Sequence, residues 1–389
     1  MKYYSTRQST ADDTTFISDG GTDSGSKPPR PSTDGGIDSE PDIRPGPVDP
    51  GSEEEPTTPT TPMTPLSDSK RVHARWFAQV GGPVETTPVV RDGSVYVGTE
   101  NGFVCSIDQR DGVSNWLFQA PNAVGSPTPG GDLTYVGDRS GNLLALDRTN
   151  GTREWCFESD AGVEEAPILV GNTLYVASRD GQVSMLDAET GELKSSFRTP
   201  ARALTSMQIA GNTLYATGLD GGLFAHDVDD GEEFFRFAPS LAIAGAPAVV
   251  GDTAYVGTVD GDRIYALDAE TGKTKWRHQT DAGVWSSPVA IGGIVYTSSA
   301  DGNILALDAR EGTVRWCVET DARVWGSPVV TNELVYACND DGLLVALDRA
   351  DGRTRWHFRA QDSLVGSPAV GSESVYVGDV AGMIYALPQ

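Results

Sequence analysis

Three kinds of side chain in this sequence have the chemistry of a binding site, and most of them fall at one repeated place. Trp285 and Trp325 each stand three residues before a proline, and Glu85 and Glu164 do the same. Indole faces can stack a flat ligand or meet a cation, and the two carboxylates, with Glu165 beside Glu164, can hold a metal ion or an amine. Arg202 and Arg323 lie nearby and can meet an anion. The plainer account of the same positions is a set of side chains that plug a channel mouth. Other chemistry is harder to find. His73, His226, His278 and His357 share no zinc-ligand spacing. There is no Ser-His-Asp or nucleophile-elbow context, and the glycines sit in hairpins with no helix N-terminus to meet a phosphate. Cys105, Cys156, Cys317 and Cys338 lack C-x-x-C spacing, each falls in an expected strand, and they read as buried free thiols. No catalytic residue and no metal site are assigned.

What must position these residues is a repeat. Tyr96, Tyr135, Tyr175, Tyr215, Tyr255, Tyr296, Tyr336 and Tyr376 recur every 39 to 41 residues, which announces a propeller or solenoid. One copy, residues 284–320, holds four apolar runs, SSPVAI, IVYTSS, NILALD and VRWCVE. Each is of strand length, rich in β-branched or aromatic residues, and closed by a glycine-containing turn. Four antiparallel strands per unit make one propeller blade.

The turns agree. Six residues after every repeat tyrosine comes a glycine, Gly102 to Gly382, with Asn or Asp before it in six of the eight copies, the signal of a tight hairpin. The third strand ends in Asp108, Asp147, Asp187, Asp227, Asp268, Asp308 or Asp348, with glycine four residues on; these aspartates are expected to form turns, not to ligate metal. Four residues further stand Trp116, Trp155, Phe235, Trp276, Trp316 and Trp356, with Ser195 the exception. A ring at that place in each outer strand can pack flat on the next blade. Proline opens every inner strand except at Met207, consistent with a free edge on a central channel.

The last copy, GMIYALPQ at 382–389, has no outer strand after it, whereas RVHARWFAQV at 71–80 precedes the first unit and carries Trp76 at the outer-strand place. The N-terminal strand is therefore expected to complete the last blade, leaving no open edge. Blades three and four are irregular: Ser195, Met207 and His226 depart from the pattern, and Phe234, Phe237 and Leu241 are candidates for an exposed patch, or else fill the gap left by the missing tryptophan.

Residues 1–70 are dense in Ser, Thr, Asp, Gly and Pro; they cannot bury enough apolar surface to fold and read as a disordered acidic arm, stiffened by PTTPTTPMTP at 56–65. The arm carries net −7, leaving −19 of the chain's −26 for the ring. Such a surface argues against nucleic acid and anionic membranes as partners. It reads as adaptation to a salty cytosol or medium, with an acidic docking surface for a basic partner as the sharper alternative. There is no run of ~18 apolar residues to span a membrane and no secretory signal at Met1, so a cytoplasmic protein is expected, or a surface or secreted one if the true start lies upstream.

The unit resembles the pyrroloquinoline-quinone (PQQ) type propeller repeat, whose A-x-D-x-x-T-G-x-x-x-W pattern is met by Ala266, Asp268, Thr271, Gly272 and Trp276. The resemblance spans residues 71–389 and is more specific for fold than for chemistry. It implies one of three members: a quinoprotein dehydrogenase binding PQQ and calcium, an outer-membrane-assembly (BamB-like) propeller that binds proteins without a cofactor, or a sensor domain. The compact ring, with no adjacent cysteine pair and no alignable calcium ligands, is nearest the assembly type in an acidic, halophile-like version. The expectation is an all-β, eight-bladed β-propeller of four-stranded antiparallel blades, monomeric, acting as a non-catalytic scaffold for a protein or peptide. A PQQ- and calcium-dependent dehydrogenase is the alternative, and a small-ligand sensor the second.

Overall fold

The computed structural model describes residues 69–201, 204–238 and 241–389. All regular structure among them is β. The strands form eight sheets of sequential antiparallel strands, here called blades 1 to 8 after the tyrosines Tyr96 to Tyr376. Blade 1 is typical: Val89–Arg91, Ser94–Gly98, Phe103–Asp108 and Ser114–Gln119, in that spatial order. The two middle strands of each blade are apolar on both faces and buried, because each blade is covered by a neighbour on either side.

Closure follows the expected scheme. Trp76–Gln79 is the outer strand of blade 8, antiparallel to Met383–Pro388 with Trp76 opposite Ala386, and the inner strand of blade 1 lies beside that of blade 8. The segment does more than complete one blade. Lys70–Arg71 adds a fifth, parallel strand outside blade 7, with Lys70 opposite Trp356, so Lys70, expected in the arm, pairs with the ring. Val72 then joins Trp356, Phe358 and Leu387 in one apolar cluster. One short segment thus ties blades 7 and 8. Of the arm expected to be disordered, 1–70, residues 1–68 lie outside the described residues.

The staple between blades is specific. The Trp276 indole N–H donates to the Ala309 carbonyl of the next blade (3.0 Å), and its ring leans on Tyr255 of its own blade at 5.8 Å. The ring also covers Gly312, where a Cβ would lie 2.5 Å from it. Trp76 on Gly112, Trp116 on Gly151, Trp155 on Gly191, Phe235 on Gly272 and Trp316 on Gly352 repeat this packing. The glycine after the third strand is therefore demanded twice, by its left-handed φ of 71° at Gly312 and by the ring on top of it. The aspartates take their expected role: Asp308 accepts from the backbone of Arg310 and Glu311.

Three details differ from expectation. Where Ser195 replaces tryptophan, Phe197 covers Gly231 and stacks on His226 at 5.2 Å; the aromatic cluster of blade 4 does not fill that gap. Of that cluster only Phe234 is exposed, while Phe237 packs on Tyr265 of blade 5 at 5.1 Å and Leu241 packs against Gly261, so among the described residues these three do not form a continuous apolar patch. Cys156 is exposed, unlike the other three cysteines, although Cys317 at the equivalent outer-strand place of blade 6 is buried.

Candidate functional site

Each connector from one blade to the next ends in the inner strand, and the turn between second and third strands packs on it. The Arg139 N–H donates to the Ala123 carbonyl and the Asp340 N–H to the Arg323 carbonyl. This brings two positions together at one end of the channel: the residue three before the proline and the residue four after the tyrosine. The second was missed at the sequence level, although its spacing from the repeat tyrosine is as regular as the first.

At blades 1 to 3 these positions form a chain of ion pairs. Arg139 makes two 2.7 Å bonds to Glu100 and reaches Glu164 at 3.3 Å, and Arg179 closes on the other oxygen of Glu164 at 3.0 Å. Glu164 is thus held between two guanidiniums and is spent as a ligand for a cation or amine. Its neighbour Glu165 stands where other blades carry Gly, Ser or Thr; burial, reinforced by the Glu164 charge, pushes its carboxyl up to about 8. Glu85 lies on blade 1, two blades from Glu164, and the structure does not join them as one site.

At blades 6 and 7 the same end is aromatic. Trp285 and Trp325 are brought together, both partly buried, with ring centres 5.7 Å apart and planes at 79°. They meet edge to face, so no parallel slot for a flat ligand exists between them. Arg323 lies over the Trp325 ring at 5.7 Å, and the Trp325 indole N–H donates to Asp340 at 3.3 Å. Arg202 lies outside the described residues. Among the described residues, no three His, Cys, Asp or Glu side chains come together as a metal cage. The structural rings Trp76, Trp116, Trp155, Phe235, Trp276, Trp316 and Trp356 all lie between blades or against their own blade's tyrosine, away from this mouth.

No curated protein matches the sequence. Among solved structures, BamB from Moraxella catarrhalis is similar at 19% identity and TM-score 0.69, over 82% of this chain and 100% of that one. The computationally designed Ika8 protein is similar at 16% identity and TM-score 0.72, over 82% and 98%. The quinohemoprotein alcohol dehydrogenase ADHIIG from Pseudomonas putida HK5 is similar at 16% identity and TM-score 0.69, over 84% and 77%. At such identities these likenesses establish the ring and nothing of its chemistry. A family model described as outer membrane protein assembly factor BamB matches residues 68–161, 122–209, 155–282 and 260–388. With that match running through every blade, the chain belongs to this PQQ-like repeat family.

Proposed function

We propose that the ring is a non-catalytic scaffold that binds a protein or peptide at the mouth. The observation that carries this is the pair Trp285 and Trp325, partly exposed at one arc of a mouth whose other arc is locked by Glu100, Arg139, Glu164 and Arg179. Large aromatic side chains beside ordered charges are the composition of a recognition surface. A family described by an assembly factor supports the reading. The net charge of −26 suits a salt-rich setting, in which screening relieves self-repulsion. The dehydrogenase reading is favoured by one neighbour of that activity; against it, Glu164 is already neutralised by two arginines.

The test has two arms. Immobilised full-length chain is exposed to an extract of its own host, beside a Trp285→Ala/Trp325→Ala double variant and a Phe77→Ala control on the outer rim. A specific protein retained by wild type and Phe77→Ala, and lost from the double variant, is expected. The second arm titrates PQQ with Ca²⁺ while following Trp fluorescence and melting temperature. A saturable shift in both, with dye reduction by an alcohol or sugar, would replace the scaffold by the enzyme.

A further inference from the structure

The end of the ring opposite the mouth carries, between some pairs of blades, a groove. Its walls are the repeat tyrosine of one blade and the inner hairpin and third-strand turn of the next. What occupies it is decided by the residue just after the third-strand aspartate. Between blades 1 and 2 that residue is Arg148, and its side chain, 14% exposed, fills the groove. Its Nε donates to the Tyr96 hydroxyl (3.0 Å), one Nη to the Gly131 carbonyl (2.6 Å) and the other to Asp92 (2.8 Å). The guanidinium carbon lies 5.6 Å from the centre of the Tyr96 ring. Between blades 6 and 7 Arg349 repeats this on Tyr296 (3.1 Å) and the Ile291 carbonyl (3.3 Å). The fold thus shows twice how such a groove takes a guanidinium.

Between blades 2 and 3 the residue is Ala188, and the receptor stands open as a groove of about 780 Å³. Tyr135 takes the place of Tyr96, and Gly171 stands four residues before its tyrosine as Gly131 does. Asp132 lies one place from the counterpart of Asp92. The Tyr135 hydroxyl donates to the Ala188 carbonyl (3.0 Å), leaving its oxygen able to accept. Asp147, Glu154 and Glu189 add three further carboxylates to the lining. Lys194 is held on the outer strand by Asp187 and the Asn172 carbonyl and pairs with none of these three or with Asp132. The groove between blades 4 and 5, with Ala269, is also open, but there Lys275 already neutralises the lining Asp252 at 3.0 Å.

We propose that the groove between blades 2 and 3 receives an arginine side chain presented by a protein partner, bound as the chain binds its own Arg148 next door. A planar guanidinium matches a carbonyl, a hydroxyl and carboxylates held around one groove better than an ammonium does. The proposal does not depend on the mouth.

The test uses full-length protein and a fluorescent Gly-Gly-Arg-Gly-Gly peptide, with the Lys peptide as comparison, read by anisotropy at about 0.15 M salt, where screening acts over about 8 Å. Saturable binding of the Arg peptide is expected, at least roughly 5-fold tighter than the Lys peptide. Ala188→Arg should fill the groove from within, weaken binding at least roughly 10-fold, and melt no lower than wild type. Should that variant fail to fold, Asp132→Asn/Glu154→Gln tests the same point through exposed carboxylates, with a loss of at least roughly 5-fold expected. Trp285→Ala/Trp325→Ala should leave peptide binding unchanged, which separates this groove from the mouth. Absence of saturable binding, or equal binding by the groove variants, would overturn the proposal and leave only diffuse attraction to an acidic ring.

Discussion

Alanine placed at two glycines of blade 6 separates the conformational demand of the turns from the packing between blades. Gly293 has φ 77° and open space around its Cβ position, whereas Gly312 has φ 71° and the Trp276 ring 2.5 Å from its Cβ position. A left-handed φ costs an alanine about 1–2 kcal/mol at either site, offset by about 0.4–1 kcal/mol of reduced unfolded-state entropy. Gly293→Ala should therefore cost about 1 kcal/mol. Gly312→Ala must also displace the ring, an overpacking cost of about 1–3 kcal/mol, and strains the indole bond to the Ala309 carbonyl, worth about 1 kcal/mol. Its total should be about 3–4 kcal/mol. In a Trp276→Leu background the cost of Gly312→Ala should fall to that of Gly293→Ala, a coupling of about 2–3 kcal/mol. Urea unfolding followed by fluorescence and far-UV CD gives these numbers if the two probes coincide and m is unchanged. Equal costs at the two glycines, or coupling under ~0.5 kcal/mol, would refute the staple.

Removing residues 71–80 takes away the closing strand together with buried Val72, Trp76 and Val80; the loss should exceed about 8 kcal/mol, comparable with the stability of a whole domain, while removal of residues 1–68 should leave the melting temperature near the full-length value. Equal melting temperatures after the two deletions would contradict closure. Glu165 binds its proton in the folded state up to about 8, against an ordinary value of 4.5. The folded state therefore holds more protons between these values, and stability falls as pH rises through that window; partial access of water at the inner strands trims the effect to about 1–3 kcal/mol. Glu165→Gln should flatten the decline in melting temperature between those pH values, and an unchanged slope would show that the carboxyl is not perturbed. Arg139→Met should leave Glu100 and Glu164 without their shared cation and cost about 1–3 kcal/mol, partly recovered by Glu100→Gln; no recovery would mean that the loss is one of packing alone.

The ring was legible because every blade repeats the same local demands. A tyrosine, an Asp-x-x-x-Gly turn and an outer-strand tryptophan recur at fixed spacing, and each depends on residues within about forty positions of itself. Closure was legible for the same reason: one surplus outer strand and one missing one must meet. The positions of Trp285, Trp325, Glu85 and Glu164 on the connectors could also be read, since they follow from the distance to the repeat proline. Their partners could not. Arg139 lies between Glu100 and Glu164 because three blades converge at the mouth, and that meeting has no signature within any one repeat. The exposed Cys156 and the substitution of Phe197 for a missing tryptophan were hidden likewise, since each depends on what the adjoining blade leaves uncovered.

The sequence by itself determined the number of blades, the four strands of each, the turns between them and the strand that closes the ring, because hydrogen-bond ladders and left-handed glycines are set by near neighbours. Only the tertiary structure decided which charges are spent on one another at the mouth, that two tryptophans meet edge to face, and which grooves the chain fills with its own arginines. Those outcomes depend on the distance and angle between blades, quantities that arise only when all eight pack around one axis.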